Sequence, residues 1–200
     1  PNRFAIDLSR QRTHAVGLIV GSFQNPYYAQ LADAFVSELR SHDWQVIVGT
    51  ADQDESKAIR SMAAHTDAII GNFVQSQEKL AEAARGVPIV QLEQRATVAG
   101  VHSVELEFRT GITDLVAALR AKGARRFAMI DAADPNALED GGSPRRHFYE
   151  EAVGAGCVVV TEPDTIAGGA DGLRSLLAED PSIDTILAFN DLVAMGAVQG

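Results

Sequence analysis

The chain has 200 residues, 46% hydrophobic and 22% charged, with a net charge of −10 and an isoelectric point of about 4.9. That acidity leaves it poorly suited to hold nucleic acid unaided. No apolar run approaches the ~20 residues that span a bilayer, and a single cysteine, Cys157, excludes an internal disulfide. The opening PNRFAIDLSRQRT lacks the apolar core of a secretory signal, so a cytoplasmic protein of one large or two small domains is expected.

From the amino end, AVGLIV (Ala15 to Val20) reads as the first strand. Asn25 and Pro26 then mark a helix start, as N-cap and first-turn residue, and Leu31, Ala32, Phe35 and Leu39 recur behind them at helical spacing. A second strand, QVIVG (Gln45 to Gly49), is followed by DQDESKAIRSMAAH, whose acids sit in the first turn where the helix dipole favours them. Ile59, Met62 and Ala63 share its apolar stripe. Strand AII (Ala68 to Ile70), helix SQEKLAEAAR and strands PIVQL (Pro88 to Leu92) and SVEL (Ser103 to Leu106) come next.

The helix TGITDLVAALRAKG is closed by Gly123. RFAMID (Arg126 to Asp131) precedes the longest loop-like segment, Asp131 to His147. CVVV (Cys157 to Val160), helix GADGLRSLLAED and strand TILAF (Thr185 to Phe189) complete the series before NDLVAMGAVQG. Continuous Val/Ile runs predict strands covered on both faces. Their alternation with helices predicts parallel sheets with right-handed crossovers. A split near Leu106–Arg109 divides the chain into halves 14–107 and 108–200, with 1–13 as a leading segment. The last helical pattern stops without a closing strand, so the second half is expected to be incomplete. Apolar positions such as Val36 and Leu80 are expected at the surface of the first half.

Several chemistries lack their residues. The first strand–helix turn, GSFQNP, has no glycine triplet for a dinucleotide, and GGADG (Gly168 to Gly172) lacks that spacing. No phosphate-loop lysine is present, and Ser143 in GGSPR is not a nucleophile elbow. The histidines, His14, His42, His65, His102 and His147, are scattered without ligand spacing. DQDE lacks the glycine and closing glutamate of a calcium loop. No catalytic residue, cofactor or metal is therefore expected.

Four stretches together resemble the effector-binding module of the lactose-repressor (LacI/GalR) family of bacterial transcription regulators. RTHAVGLIVGSFQNPYYAQLADAF is similar to the family's opening, with an Arg-Thr pair before the first strand and an Asn-Pro-aromatic-aromatic element after it. TDAIIGNF resembles its VDGIIL strand, VPIVQLEQR its IPVVLIDR and AFNDLVAMGA its AANDLMALGA. The resemblance implies a type I periplasmic-binding-protein fold, two doubly wound α/β halves joined by a hinge and closing on a small ligand. It also implies that residues 1–13 lead toward a helix-turn-helix headpiece lying outside this chain, through which operator DNA is bound. A homodimer and a sugar-like effector follow from the same resemblance. The alternatives are a stand-alone sugar-binding protein for transport or chemoreception, and an enzyme on the same fold.

Departures are visible. Glu93-Gln94 stand where the family has Asp-Arg, Glu107-Phe108 where it has Asp-Asn, and the family's final ligand-binding segment is missing. The resemblance points to Tyr27, Tyr28, Glu93, Arg145 and Asn190 as ligand-binding residues, at or just past carboxyl ends of strands. Adjacent residues at a helix start point about 100° apart, so one tyrosine lines the ligand and the other packs; Tyr28 is favoured for the ligand side. Arg145 offers a fork donor, with Arg146 as the other register. Glu93 offers a carboxylate and Asn190 an amide, each with a plainer role open, as surface acid and as helix N-cap.

Overall fold

The computed structural model describes residues 12–50, 54–73, 75–132, 143–154 and 156–200. The chain divides into two compact units, one running to Leu106 and the other from Glu107. The hinge-like opening, 1–13, lies outside the described residues except for Arg12 and Thr13, and so does most of the loop from Asp131 to His147.

The first unit runs β1 (Ala15–Val20), α1 (Pro26–Ser41), β2 (Gln45–Thr50), α2 (Glu55–Ala63), β3 (Ala68–Gly71), α3 (Gln77–Ala84), β4 (Ile89–Leu92) and β5 (Val101–Val104). Its strands form a parallel sheet in the order β2-β1-β3-β4-β5. Every residue of β1 is buried, which is why AVGLIV carries no alternation. Ile19, Ile59, Ile69, Phe73, Leu80, Ile89 and Val101 form one continuous core, and each such aliphatic side chain contributes ~1.5–3 kcal/mol when buried. Leu80 is thus a core residue with no exposed surface, because α3 packs against α2, β4 and β5 and turns it into that core; it is not the surface position that its spacing suggested. The start of β1 is tied to the start of β3 by Asp67, whose carboxylate accepts from the Thr13 N–H at 2.9 Å and from the His14 N–H at 3.0 Å. Partial burial pushes that carboxyl up, yet the Thr13 and His14 donors outweigh it and hold it below its ordinary value.

Strand β5 begins two residues before the expected Ser103. The ladder decides this: Val101 pairs with Ile89 and Val104 with Leu92, so Val101 is the buried member while Leu106 lies past the pairing, 47% exposed.

The second unit runs α4 (Phe108–Ala121), β6 (Phe127–Ala132), α5 (Pro144–Val153), β7 (Val158–Glu162), α6 (Ile166–Glu179), β8 (Thr185–Ala188) and α7 (Asp191–Gln199). Its sheet is parallel, ordered β7-β6-β8. Alternate residues of β6 feed two cores, as the strand period requires. Phe127 and Met129 pack with Val116 and Tyr149 from α4 and α5. Ala128 and Ile130 pack with Leu176 and Val193 from α6 and α7. Helices therefore cover both faces of the sheet, the doubly wound arrangement.

The glycines of GGADG lie inside α6, behind the N-cap Thr165, rather than ahead of a helix. A Cβ at Gly169 would fall 2.1 Å from the Val193 carbonyl oxygen, and one at Gly196 would fall 1.9 Å from that of Ile166. These two positions let α6 and α7 approach backbone to backbone.

Candidate functional site

Parallel pairing puts the carboxyl ends of the first unit's strands on one edge, where small ligands bind in doubly wound sheets. The loop after β1 ends in a well-made helix start: the Asn25 side chain accepts from the Tyr27 N–H at 3.0 Å, and Pro26 supplies the preset first turn. This fixes the two tyrosines at the edge. Their rings meet edge to face, 5.2 Å apart. Tyr28 is half-buried with its hydroxyl against Gly21, where a Cβ would come within 3.2 Å. Tyr27 is 44% exposed, and its hydroxyl makes a long contact, 3.4 Å, to Glu93 Oε1. The burial order is the reverse of the expected one: Tyr27 is the open ring and Tyr28 the packed one.

Glu93 sits at the end of β4 with φ +67°, a left-handed conformation few non-glycine residues adopt. Its N–H donates to the Val104 carbonyl at 2.8 Å. The kink sends the next side chain back toward the sheet. Gln94 accepts from the Gln91 amide at 2.7 Å, and its own Nε2–H reaches the Phe73 carbonyl at 3.4 Å. Gln91 is fully buried, and its Oε1 has no partner among the described residues. Gln91 escaped the sequence reading, although a glutamine inside the apolar run PIVQL, three residues before another, was its signal.

In the second unit the corresponding edge carries Arg145 and Asn190. Asp131, fully buried at the end of β6, accepts from the Ser143 hydroxyl at 2.6 Å and the Ser143 N–H at 3.1 Å. Ser143 in turn caps α5 by accepting from the Arg146 N–H. That cap places the two arginines. Arg146 turns along its own helix, donating from Nε to Glu150 at 2.7 Å. Arg145 turns to the end of β8, where Nη1–H donates to the Phe189 carbonyl at 2.9 Å. Its guanidinium also lies over the rings of Phe189, at 4.3 Å, and Phe108, at 4.8 Å. Phe108 stood out in the sequence only as a departure from the family's asparagine, with no role attached, and Phe189 only as the apolar residue ending a strand.

Asn190 caps α7, accepting from the Val193 N–H at 3.1 Å, and donates from Nδ2 to Asp164 at 2.5 Å. The structure thus brings Tyr27, Tyr28 and Glu93 together in the first unit, and Arg145 and Asn190 together in the second. Among the described residues no three of His, Cys, Asp and Glu gather as a metal set. No described helix is long and apolar enough to cross a membrane.

Two parallel, doubly wound units, each with polar and aromatic groups at the carboxyl edge of its sheet, define an α/β protein of the open-sheet class. Residues 13–200 match the family of periplasmic binding proteins and sugar-binding domains of the LacI family, and the chain belongs to that family. Catabolite control protein A of Staphylococcus xylosus is 28% identical over 217 residues, covering 99% of this chain and 62% of that protein. The chain therefore spans less than two thirds of that relative. A LacI transcriptional regulator from a Rhodococcus species superposes with a TM-score of 0.79 at 26% identity, over 92% of this chain and 70% of that one. A LacI-family regulator from Arthrobacter sp. FB24, solved with lactose, shares the fold with a TM-score of 0.79 at 23% identity, over 94% of this chain and 70% of that one.

Proposed function

We propose that this chain is the effector-sensing and dimerisation part of a bacterial LacI-type transcriptional regulator. Its ligand is a small polyhydroxylated, sugar-like molecule, met by Tyr27, Tyr28 and Glu93 from the half 14–107 and by Arg145 and Asn190 from the half 108–200. The carrying observation is the pairing of aromatic faces with directional polar groups at the carboxyl edge of each unit: Tyr27 with Glu93, and Arg145 with Phe189. A sugar presents just such surfaces, C–H faces for rings and hydroxyls for donors and acceptors. The family's description, which names sugar-binding domains, supports the same class.

The working principle is linkage. A ligand that prefers one arrangement of the two halves shifts the population toward it, and only by its differential affinity. Operator DNA is bound through a headpiece beyond this chain, to which residues 1–13 lead, in a cytoplasmic homodimer. The protein acts by binding rather than by chemistry, with no cofactor or metal. The other reading, a sugar-binding protein for transport, is separated by the segment encoded ahead of Pro1: a helix-turn-helix supports regulation, a signal peptide transport.

A thermal-shift screen of sugars, polyols, purines and amino acids tests the ligand class. A ligand at a hundred times its Kd stabilises by ~2.7 kcal/mol, a rise of roughly 5 °C or more for a chain of this size. The expected hits are sugars or polyols; a screen whose hits are purines or amino acids alone contradicts the reading.

A further inference from the structure

The amino-terminal halves of α4 and α5 are joined by two arginine–phenyl contacts that run in opposite directions. Arg145 of α5 lies over Phe108 of α4, and Arg109 of α4 lies over Phe148 of α5, each 4.8 Å from the ring centroid. Arg109 pairs in addition with Glu151 of α5. Phe108 is the first residue of α4, and its backbone is set by the N-cap Glu107, whose carboxylate accepts from the Thr110 N–H at 2.8 Å. Arg145 is thus gripped from three directions: its own helix, the Phe108 ring, and the ring and carbonyl of Phe189 at the end of β8.

A long side chain with many rotamers loses much freedom when a ligand fixes it, and that loss weakens binding. A guanidinium already held over aromatic faces has lost it beforehand, and the ring quadrupole attracts the charge without using its N–H donors. We propose that Phe108 is a positioning residue: it holds the Arg145 guanidinium in the orientation that receives the effector, without touching the effector itself. This rests on the reading of Arg145 as an effector-binding group. The ring stands where the family resemblance has an asparagine, so the device belongs to this chain's own sequence. A packing role would be served by any apolar side chain of similar bulk, whereas positioning through the ring requires an aromatic face.

Leucine and tyrosine substitutions separate these roles. Arginine side-chain 1H–15N spectra of the full chain, with Arg145→Ala identifying the Nε–H resonance, report the guanidinium's surroundings. Lactose serves as the binding probe. Phe108→Leu is expected to move the Arg145 resonance and to weaken lactose binding about two- to fivefold, the range of one exposed cation–π contact. Phe108→Tyr is expected to keep both within error of the parent. An Arg145 resonance unmoved by Phe108→Leu overturns the proposal, as does an unchanged affinity in that variant, or a tyrosine variant as impaired as the leucine one. Should Arg145→Ala bind lactose like the parent, the role of Arg145 itself falls, a different failure from that of Phe108. Should the parent bind no lactose, the resonance alone decides, and its staying in place again overturns the positioning role.

Discussion

Asn190 spends both ends of its amide inside its own unit, the oxygen on the Val193 N–H and the nitrogen on Asp164. Its cap role and its expected ligand role therefore share one side chain, and an alanine substitution confounds them. Losing the cap costs ~0.5–2 kcal/mol of stability, and losing a hydrogen-bond donor to a ligand costs ~1–3 kcal/mol of binding when the partner is left buried and unpaired. Serine separates the two, since its hydroxyl still caps but cannot reproduce the amide donor. Asn190→Ser is expected to melt close to the parent and to bind effector roughly tenfold more weakly, whereas Asn190→Ala is expected to lose stability as well. Denaturant titration and calorimetric binding on both variants check this. A serine variant that binds like the parent removes Asn190 from the ligand's contacts. Of the tyrosines, Tyr27 is the more exposed ring beside Glu93 and Tyr28 is seated on Gly21, so we propose Tyr27 as the ligand surface and Tyr28 as the packing residue.

At the scale of elements, α6 and α7 depend on two missing side chains. The Cβ of an alanine at 169 would need the space of the Val193 carbonyl oxygen, and forcing such an overlap costs ~1–3 kcal/mol or more. Gly111, within α4, has nothing within 4 Å of an added Cβ. Alanine there removes backbone freedom from the unfolded chain and stabilises by ~0.4–1 kcal/mol. Opposite signs are thus expected for Gly169→Ala and Gly111→Ala in thermal unfolding; equal effects contradict the close approach of the two helices.

The amino ends of β6 and β8 are joined by carboxylates. Asp180 is held down to about 2 by the Ser182 hydroxyl first and the Arg126 guanidinium next. Asp184 is held below its ordinary value chiefly by the Thr185 hydroxyl, with the Arg126 and Arg125 N–H groups adding to it. A carboxyl whose folded pKa is depressed contributes stability that is present above its unfolded pKa, ~3.9, and lost as pH falls through the folded one. The melting temperature is therefore expected to drop between about pH 4 and pH 2. Asp180→Asn should lower it at pH 6 and flatten the drop; a parent-like pH dependence in that variant contradicts the assignment.

The elements were largely legible because a strand buried on both faces leaves an unbroken apolar run, as β1 does, and a capped helix leaves Asn25-Pro26 at its start. What escaped was set by partners distant in sequence. The register of β5 follows from pairing with β4, and the burial of Leu80 from how α3 lies on its sheet. The glycines of α6 take their meaning from α7, more than twenty residues on. In the site, polar residues at strand ends stood out by type; the roles of Phe108, noted only as a departure, and of Phe189 did not, since an aromatic beside a strand reads as ordinary core until its guanidinium partner is seen.

For the whole molecule, the proposed function couples effector binding to a regulator's output. A two-fold homodimer is the proposed assembly, and any coupling to DNA is bounded by the effector's preference between two states. The central proposal is that one sugar-like effector is met by groups of both units. The most direct measurement is calorimetric titration of the first sugar or polyol hit into the parent, Arg145→Ala and Tyr27→Ala proteins. Each substitution is expected to weaken binding roughly tenfold or more, by ~1–3 kcal/mol, while the variant remains folded. Parent-like affinity in both variants would contradict the claim.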